Sequence, residues 1–156
     1  MPESRRMPEV QDLSGITVLV VEQDEDDSKL YRLFLESCRA HVVTLSTAAA
    51  ALHYLGFSVV DVVLAEASIL GTARRTFIRA VHTLPKCADL PVLAVTAWPQ
   101  DTPEAADGEG FAAVMLKPVD LDEIAATIAR LVGQRRARDS SSPCPELSRG
   151  LTRRDA

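Results

Sequence analysis

Cysteine, aromatic residues and long apolar runs are all scarce in this chain. Its three cysteines, Cys38, Cys87 and Cys144, are odd in number, widely separated and without a CxxC pair. That excludes a disulfide framework and a cysteine zinc site and leaves ordinary reduced thiols. Aromatic residues make up 4% of the sequence, with Trp98 the single tryptophan. No apolar run approaches the roughly 18 residues a membrane helix needs, and the opening MPESRRMPEV has no secretory apolar core. The expectation is a cytoplasmic protein with no membrane partner. There is no phosphate-binding P-loop, no GxGxxG and no GxSxG elbow, and His41, His53 and His82 lack metal-ligand spacing. Asp24, Asp26 and Ser28 begin like a calcium loop, but Lys29 stands where the turn glycine belongs and Leu35 where the bidentate acid belongs.

What is present is apolar material for a single core: 156 residues, of which 47% are hydrophobic. The net charge of −5 is unevenly distributed. Residues 16–132 carry 16 acids against 9 bases, whereas residues 133–156 carry 6 arginines against 3 acids. An acidic body disfavours nucleic acid as a partner. The reading is a flexible leader over 1–15, a compact domain over 16–132 and a disordered arginine-rich tail over 133–156.

Within the domain, β-rich apolar runs alternate with helical patterns. Continuous apolar stretches at 16–21, 41–45, 59–65, 91–95 and 112–116 predict strands, several of them buried on both faces. Between them lie a helix begun by Asp24 to Asp27 with Leu30, Leu33, Phe34 and Cys38 at helical spacing, and a short alanine-rich helix over 47–55 that Gly56 stops. After a loop containing Gly71 comes a helix with Phe77, Ile78, Val81 and Leu84 on one face, ended by Pro85. A last amphipathic helix bears Leu121, Ile124, Ala125, Ile128, Leu131 and Val132, opened by Asp120 with Glu123 in capping-box order. The stretch WPQDTPEAADGEG has no large aliphatic residue and is expected to be the least ordered part of the core. Five βα units predict an α/β fold with a doubly wound parallel sheet, right-handed crossovers and helices on both faces.

The strand-like runs end in Glu22, Glu66, Thr96 and Lys117. In an open parallel sheet the carboxyl ends of the strands form one edge, where such folds place their chemistry. Two acids, a hydroxyl and an amine on one edge point to phosphate and metal chemistry.

The segments VLVVEQDEDD, DVVLAEASILG, LPVLAVTA and FAAVMLKPVDLDE, in this order and spacing, resemble the signature segments of receiver domains of bacterial two-component response regulators. The resemblance implies a flavodoxin-like five-stranded sheet of order 2-1-3-4-5. It also implies a place in two-component or phosphorelay signalling, with a histidine kinase or another signalling protein as partner. In that family an acidic pair after the first strand holds Mg2+, and an aspartate ending the third strand accepts the phosphoryl group. A Thr or Ser and a Lys ending the fourth and fifth strands bind its oxygens. Carried over, the acidic pair falls on Glu22 and Gln23, the acceptor on Glu66, and the phosphoryl-binding groups on Thr96 and Lys117.

The departures from the family set the remaining expectations. Glutamate at 66 advances the carboxylate by up to about 1.5 Å, one carbon–carbon bond, and Gln23 replaces a charged Mg2+ ligand by an amide, weakening the Glu22, Gln23 and Glu66 metal site. Val114 stands where the family carries its switch aromatic, and Leu70 where a proline usually precedes Gly71. The expectation is an atypical, pseudo-receiver variant: a stand-alone, non-enzymatic module acting by protein–protein interaction, with Mg2+ binding weakened and no other cofactor. The alternative is a conventional receiver with Mg2+-dependent phosphotransfer. Glu66 and Lys117 could form a standing ion pair, Trp98 a partner contact, and the last helix with its neighbouring strand, near Arg130, a homodimer face.

Overall fold

Strands buried on both faces explain the architecture. The computed structural model describes residues 10–98 and 109–141. Strands β1 (Thr17–Val21), β2 (His41–Leu45), β3 (Val62–Glu66), β4 (Val92–Thr96) and β5 (Ala113–Leu116) form one parallel sheet in the order β2-β1-β3-β4-β5. This is the flavodoxin-like order expected. Successive side chains point to opposite faces, so Val18, Val20, Val62, Leu64, Leu93 and Val95 enter one core layer. Leu19, Val21, Val63, Ala65, Val92 and Ala94 enter the other.

Helices α1 (Glu25–Ser37) and α5 (Leu121–Ser141) cover the first face, and α2 (Ala48–Phe57), the short α3 (Ala67–Leu70) and α4 (Arg74–Thr83) the second. Asp24 caps α1 by accepting from the Asp27 N–H at 3.0 Å, with Glu25, Asp26 and Asp27 in the favoured first turn. Thr47 caps α2 through the Ala50 N–H at 3.0 Å. Asp120 accepts from the Asp122 N–H at the start of α5. At the end of α1, Arg39 has φ 73, with its N–H bonded to Glu36 O and that of Ala40 to Leu35 O. This left-handed closure satisfies two terminal carbonyls.

Several sequence-based boundaries move. The core face of α1 is Tyr31, Leu35 and Cys38, while Leu30 and Leu33 are exposed. Of the expected stripe, Cys38 is buried and Phe34 packs against the core, while Tyr31 and Leu35 take the places expected of Leu30 and Leu33. Gly56 does not stop α2, which runs to Phe57 and ends at Ser58 in extended backbone. β3 begins at Val62, because Val59 is exposed and only Val60 turns inward. The loop containing Gly71 is helical, as α3 and a 3-10 turn over Gly71–Ala73.

The leader and tail boundaries change as well. Leu13 is fully buried and its N–H bonds to Cys38 O at 2.7 Å, so residues 10–15 are not a free leader. α5 continues nine residues past Val132, because Arg135 and Arg136 fasten it to the amino ends of the strands. Arg135 Nε lies 2.9 Å from Asp89 Oδ1, and its other nitrogens donate to Lys86 O at 3.0 Å and Val60 O at 3.4 Å. Arg136 donates to Gly15 O at 2.9 Å and faces Asp61 at 3.6 Å. The rest of the expected leader (1–9) and tail (142–156), with Cys144, lies outside the described residues, as does the 99–108 part of the segment after Trp98.

Candidate functional site

The sheet brings the four polar strand-end residues to one edge. Glu66 closes β3 and Thr96 closes β4; Glu22 and Lys117 follow β1 and β5 by one residue. Backbone bonds from Glu22 N to Leu45 O and from Lys117 N to Thr96 O carry the parallel pairing one step past those strands. Glu22, Glu66 and Thr96 are the buried polar side chains of the described core.

Lys117 Nζ lies 2.9 Å from Glu66 Oε2 and 3.5 Å from Asp27 Oδ2. Ser68 Oγ donates to Glu66 Oε1 at 3.2 Å. Burial lowers the Lys117 pKa, but the close contact with Glu66 and the Glu66 charge outweigh it, so the amine is held above the usual lysine range. Burial likewise pushes the Tyr31 hydroxyl up to about 12, against the opposing charge of Lys117, which keeps that ring neutral. Thr96 Oγ1 accepts from the Trp98 N–H at 3.1 Å, and Trp98 stands 53% exposed just beyond the edge.

Glu22 is only 5% exposed. Its Oε1 accepts from the Asp24 N–H at 3.0 Å, while Oε2 is buried without a hydrogen-bond partner. Burial, more than the neighbouring charges of Glu66 and Asp27, raises its pKa. Gln23 is exposed, although both it and Glu22 line the cleft above the strand ends. That cleft has a volume of about 560 Å³.

The sequence-based reading missed two members of this site. Asp27 was read as a helix-start charge, yet it flanks Lys117. Ser68, which steadies Glu66, carries no motif at all; only its place two residues past the strand end could have signalled it.

No family model matches the chain. An uncharacterised 14.6 kDa protein of Leptolyngbya boryana is 31% identical over 112 residues, which cover 71% of this chain and 86% of that protein. Among solved structures, the signal receiver domain of a putative LuxO repressor protein from Vibrio parahaemolyticus superposes with a TM-score of 0.72 at 15% identity, over 83% of this chain and 98% of that one. The receiver domain of a Pseudomonas aeruginosa sensor histidine kinase, solved with magnesium in its active-site cleft, gives 0.68 at 17% identity over 77% and 99%. A chemotaxis response regulator of Vibrio cholerae gives 0.66 at 19% over 74% and 98%. The chain belongs to the family of the Leptolyngbya protein and has the receiver-domain fold.

On this receiver fold the described residues offer Mg2+ few free acidic oxygens. That ion needs near-octahedral oxygen ligands at close to 2 Å, and among the described residues no three acidic, histidine or cysteine side chains converge on one point. Glu66 is engaged by Lys117 and Ser68, and the Asp24 carboxylate caps α1. Glu22 Oε2 and Glu66 Oε2 are the buried acid oxygens without a hydrogen bond among the described residues, and Glu66 Oε2 faces the Lys117 amine. Val114, paired with Ala94 across the sheet, is half-buried. With Thr96, Arg74 and Phe111 it lines a gap too narrow for water. Arg74 also faces Glu109 at 3.9 Å across this region.

Proposed function

We propose that this chain is a receiver-like module of two-component or phosphorelay signalling that acts by protein–protein contact and without phosphorylation. The observation that carries the reading is the 2.9 Å contact between Glu66 Oε2 and Lys117 Nζ, made by a carboxylate only 7% exposed. A phosphoryl acceptor must offer a carboxylate oxygen in line with the donor, with metal ions neutralising the developing charge. Here the oxygen is already paired, the side chain is one methylene too long, and a displacement of about 1 Å can cost on the order of a hundredfold in rate. The same pair holds one arrangement of the strand ends in the absence of any modification.

The narrow gap under Val114 supports the loss of switching, since it offers no room for a swinging aromatic ring. No enzymatic activity is assigned, and the partner class is a histidine kinase or another signalling protein. No described helix is long and apolar enough to cross a membrane. Retention of Thr96 and Lys117 favours a second reading, a receiver that still undergoes Mg2+-dependent phosphotransfer.

Intact mass after incubation with acetyl phosphate and Mg2+ separates the two readings. The expected result is an unchanged mass. A phosphoryl adduct on the wild type that disappears in Glu66→Ala overturns the first reading in favour of the second.

A further inference from the structure

We propose that the cleft at the carboxyl edge of the sheet receives a guanidinium group, an arginine side chain presented by a protein partner. The inference rests on the phosphorylation-independent reading above and names the chemistry of its partner. Glu22, Asp24, Glu25, Asp27 and Glu66 line the cleft against the single amine of Lys117. An acidic cluster alone would be a solvated surface. The distinguishing feature is Glu22, a residue of the cleft lining that is only 5% exposed and whose Oε2 is buried and unpartnered. A buried acceptor in this state calls for a donor.

Lys117 does not supply that donor, because its amine lies between Glu66 Oε2 and Asp27 Oδ2. Among the described residues no three acids converge on one point, so the cleft offers a divalent ion at most a partial set of protein ligands. A guanidinium meets both conditions. It brings several directional N–H donors in a planar fork suited to carboxylates, and it gives up its hydration more easily than an ammonium. Ile69 on the cleft wall offers an apolar contact for the methylene stem. Trp98, half exposed at the same edge, is placed to touch residues flanking the arginine.

The test is an NMR titration of the full, isotope-labelled chain with N-acetylarginine amide, alongside N-acetyllysine amide and Mg2+. Saturable shifts are expected in the amides of residues 22–27 and Ser68 at roughly millimolar concentration, with weaker shifts from the lysine compound. Glu22→Gln should weaken binding at least about tenfold, the discrimination expected when a charged hydrogen-bond partner is lost. Lys117→Met, which removes the competing cation, should tighten it.

The proposal is overturned if the wild type shows no saturable shift, if Glu22→Gln binds as well as the wild type, if only Lys117→Met binds, or if Mg2+ saturates the same resonances at lower concentration. Acetyl phosphate and intact mass on the same sample keep the two readings apart. A phosphoryl adduct removes the function proposed above, whereas an unchanged mass without arginine binding removes only this inference.

Discussion

The two edges of the sheet set carboxylates against cations, with opposite outcomes. At the amino edge Asp61, Arg135 and Arg136 each engage more than one partner. Asp61 Oδ2 accepts the Thr17 N–H at 2.8 Å while Oδ1 faces Arg136, and Arg135 divides its donors among Asp89 and two backbone carbonyls. In the cleft at the carboxyl edge five acids face the one amine of Lys117, and a buried Glu22 oxygen is without a hydrogen-bond partner. Burial alone does not separate the two, since Arg135 and Glu66 are both largely enclosed. The balance of donors and acceptors does: a clasp consumes its partners, whereas a binding site keeps some in reserve.

The largest effect on this comparison comes from Lys117→Met. It leaves Glu66 enclosed without its cation, and the loss should be about 2–3 kcal/mol, below the usual cost of breaking a fully buried pair because Lys117 is 29% exposed. The Lys117 pKa is raised in the fold, so its contribution is fully present below the ordinary lysine value of 10.5 and is lost as pH rises through the folded value. Urea unfolding should therefore show a deficit that is steady across neutral pH and shrinks in strong alkali. A deficit that fades between pH 6 and 9 would remove the pair as its cause.

Arg135→Ala tests the opposite edge and should cost less, about 1–2 kcal/mol. Asp89 is 44% exposed, so its ion pair contributes little, and the loss comes mainly from the orphaned Lys86 and Val60 carbonyls. Thermal unfolding should shift downward while the N-acetylarginine amide titration stays unchanged. If cation binding weakened together with stability, the two edges would not be independent.

How much of this was legible in the sequence depends on the range of the interaction. Strand-end identities are local, so Glu22, Glu66, Thr96 and Lys117 could be placed on one edge from alternation and run length alone. The pairing of Glu66 with Lys117 could be named as one option, but only the β3-β4-β5 register fixes the reach of each side chain. In α1, adjacent stripes containing Leu30 with Leu33 and Tyr31 with Leu35 are both apolar, and periodicity cannot rank them. The arginine clasp was hidden for a different reason. Arg135 meets Val60 and Lys86 across 75 and 49 residues, and in sequence it belongs to a run of arginines that reads as solvated.

The smallest expected effect has the opposite sign and bears most directly on the reserve of acceptors. Glu22→Gln keeps an oxygen for the Asp24 N–H and replaces the unpartnered carboxylate oxygen by an amide donor facing acidic neighbours. The folded pKa of Glu22 is raised, chiefly by burial, so the wild-type fold binds this proton more tightly than the unfolded chain. Relative to the variant, the wild type should lose stability as pH rises above the ordinary value of 4.5. The variant should thus be more stable by up to about 1 kcal/mol at neutral pH, an advantage that vanishes below pH 4.5. Paired urea titrations at pH 4 and pH 7 measure it. A substitution that stabilises the fold while weakening guanidinium binding would show that Glu22 costs the isolated domain stability and serves an incoming ligand; a destabilised variant would place Glu22 with the clasp at the other edge.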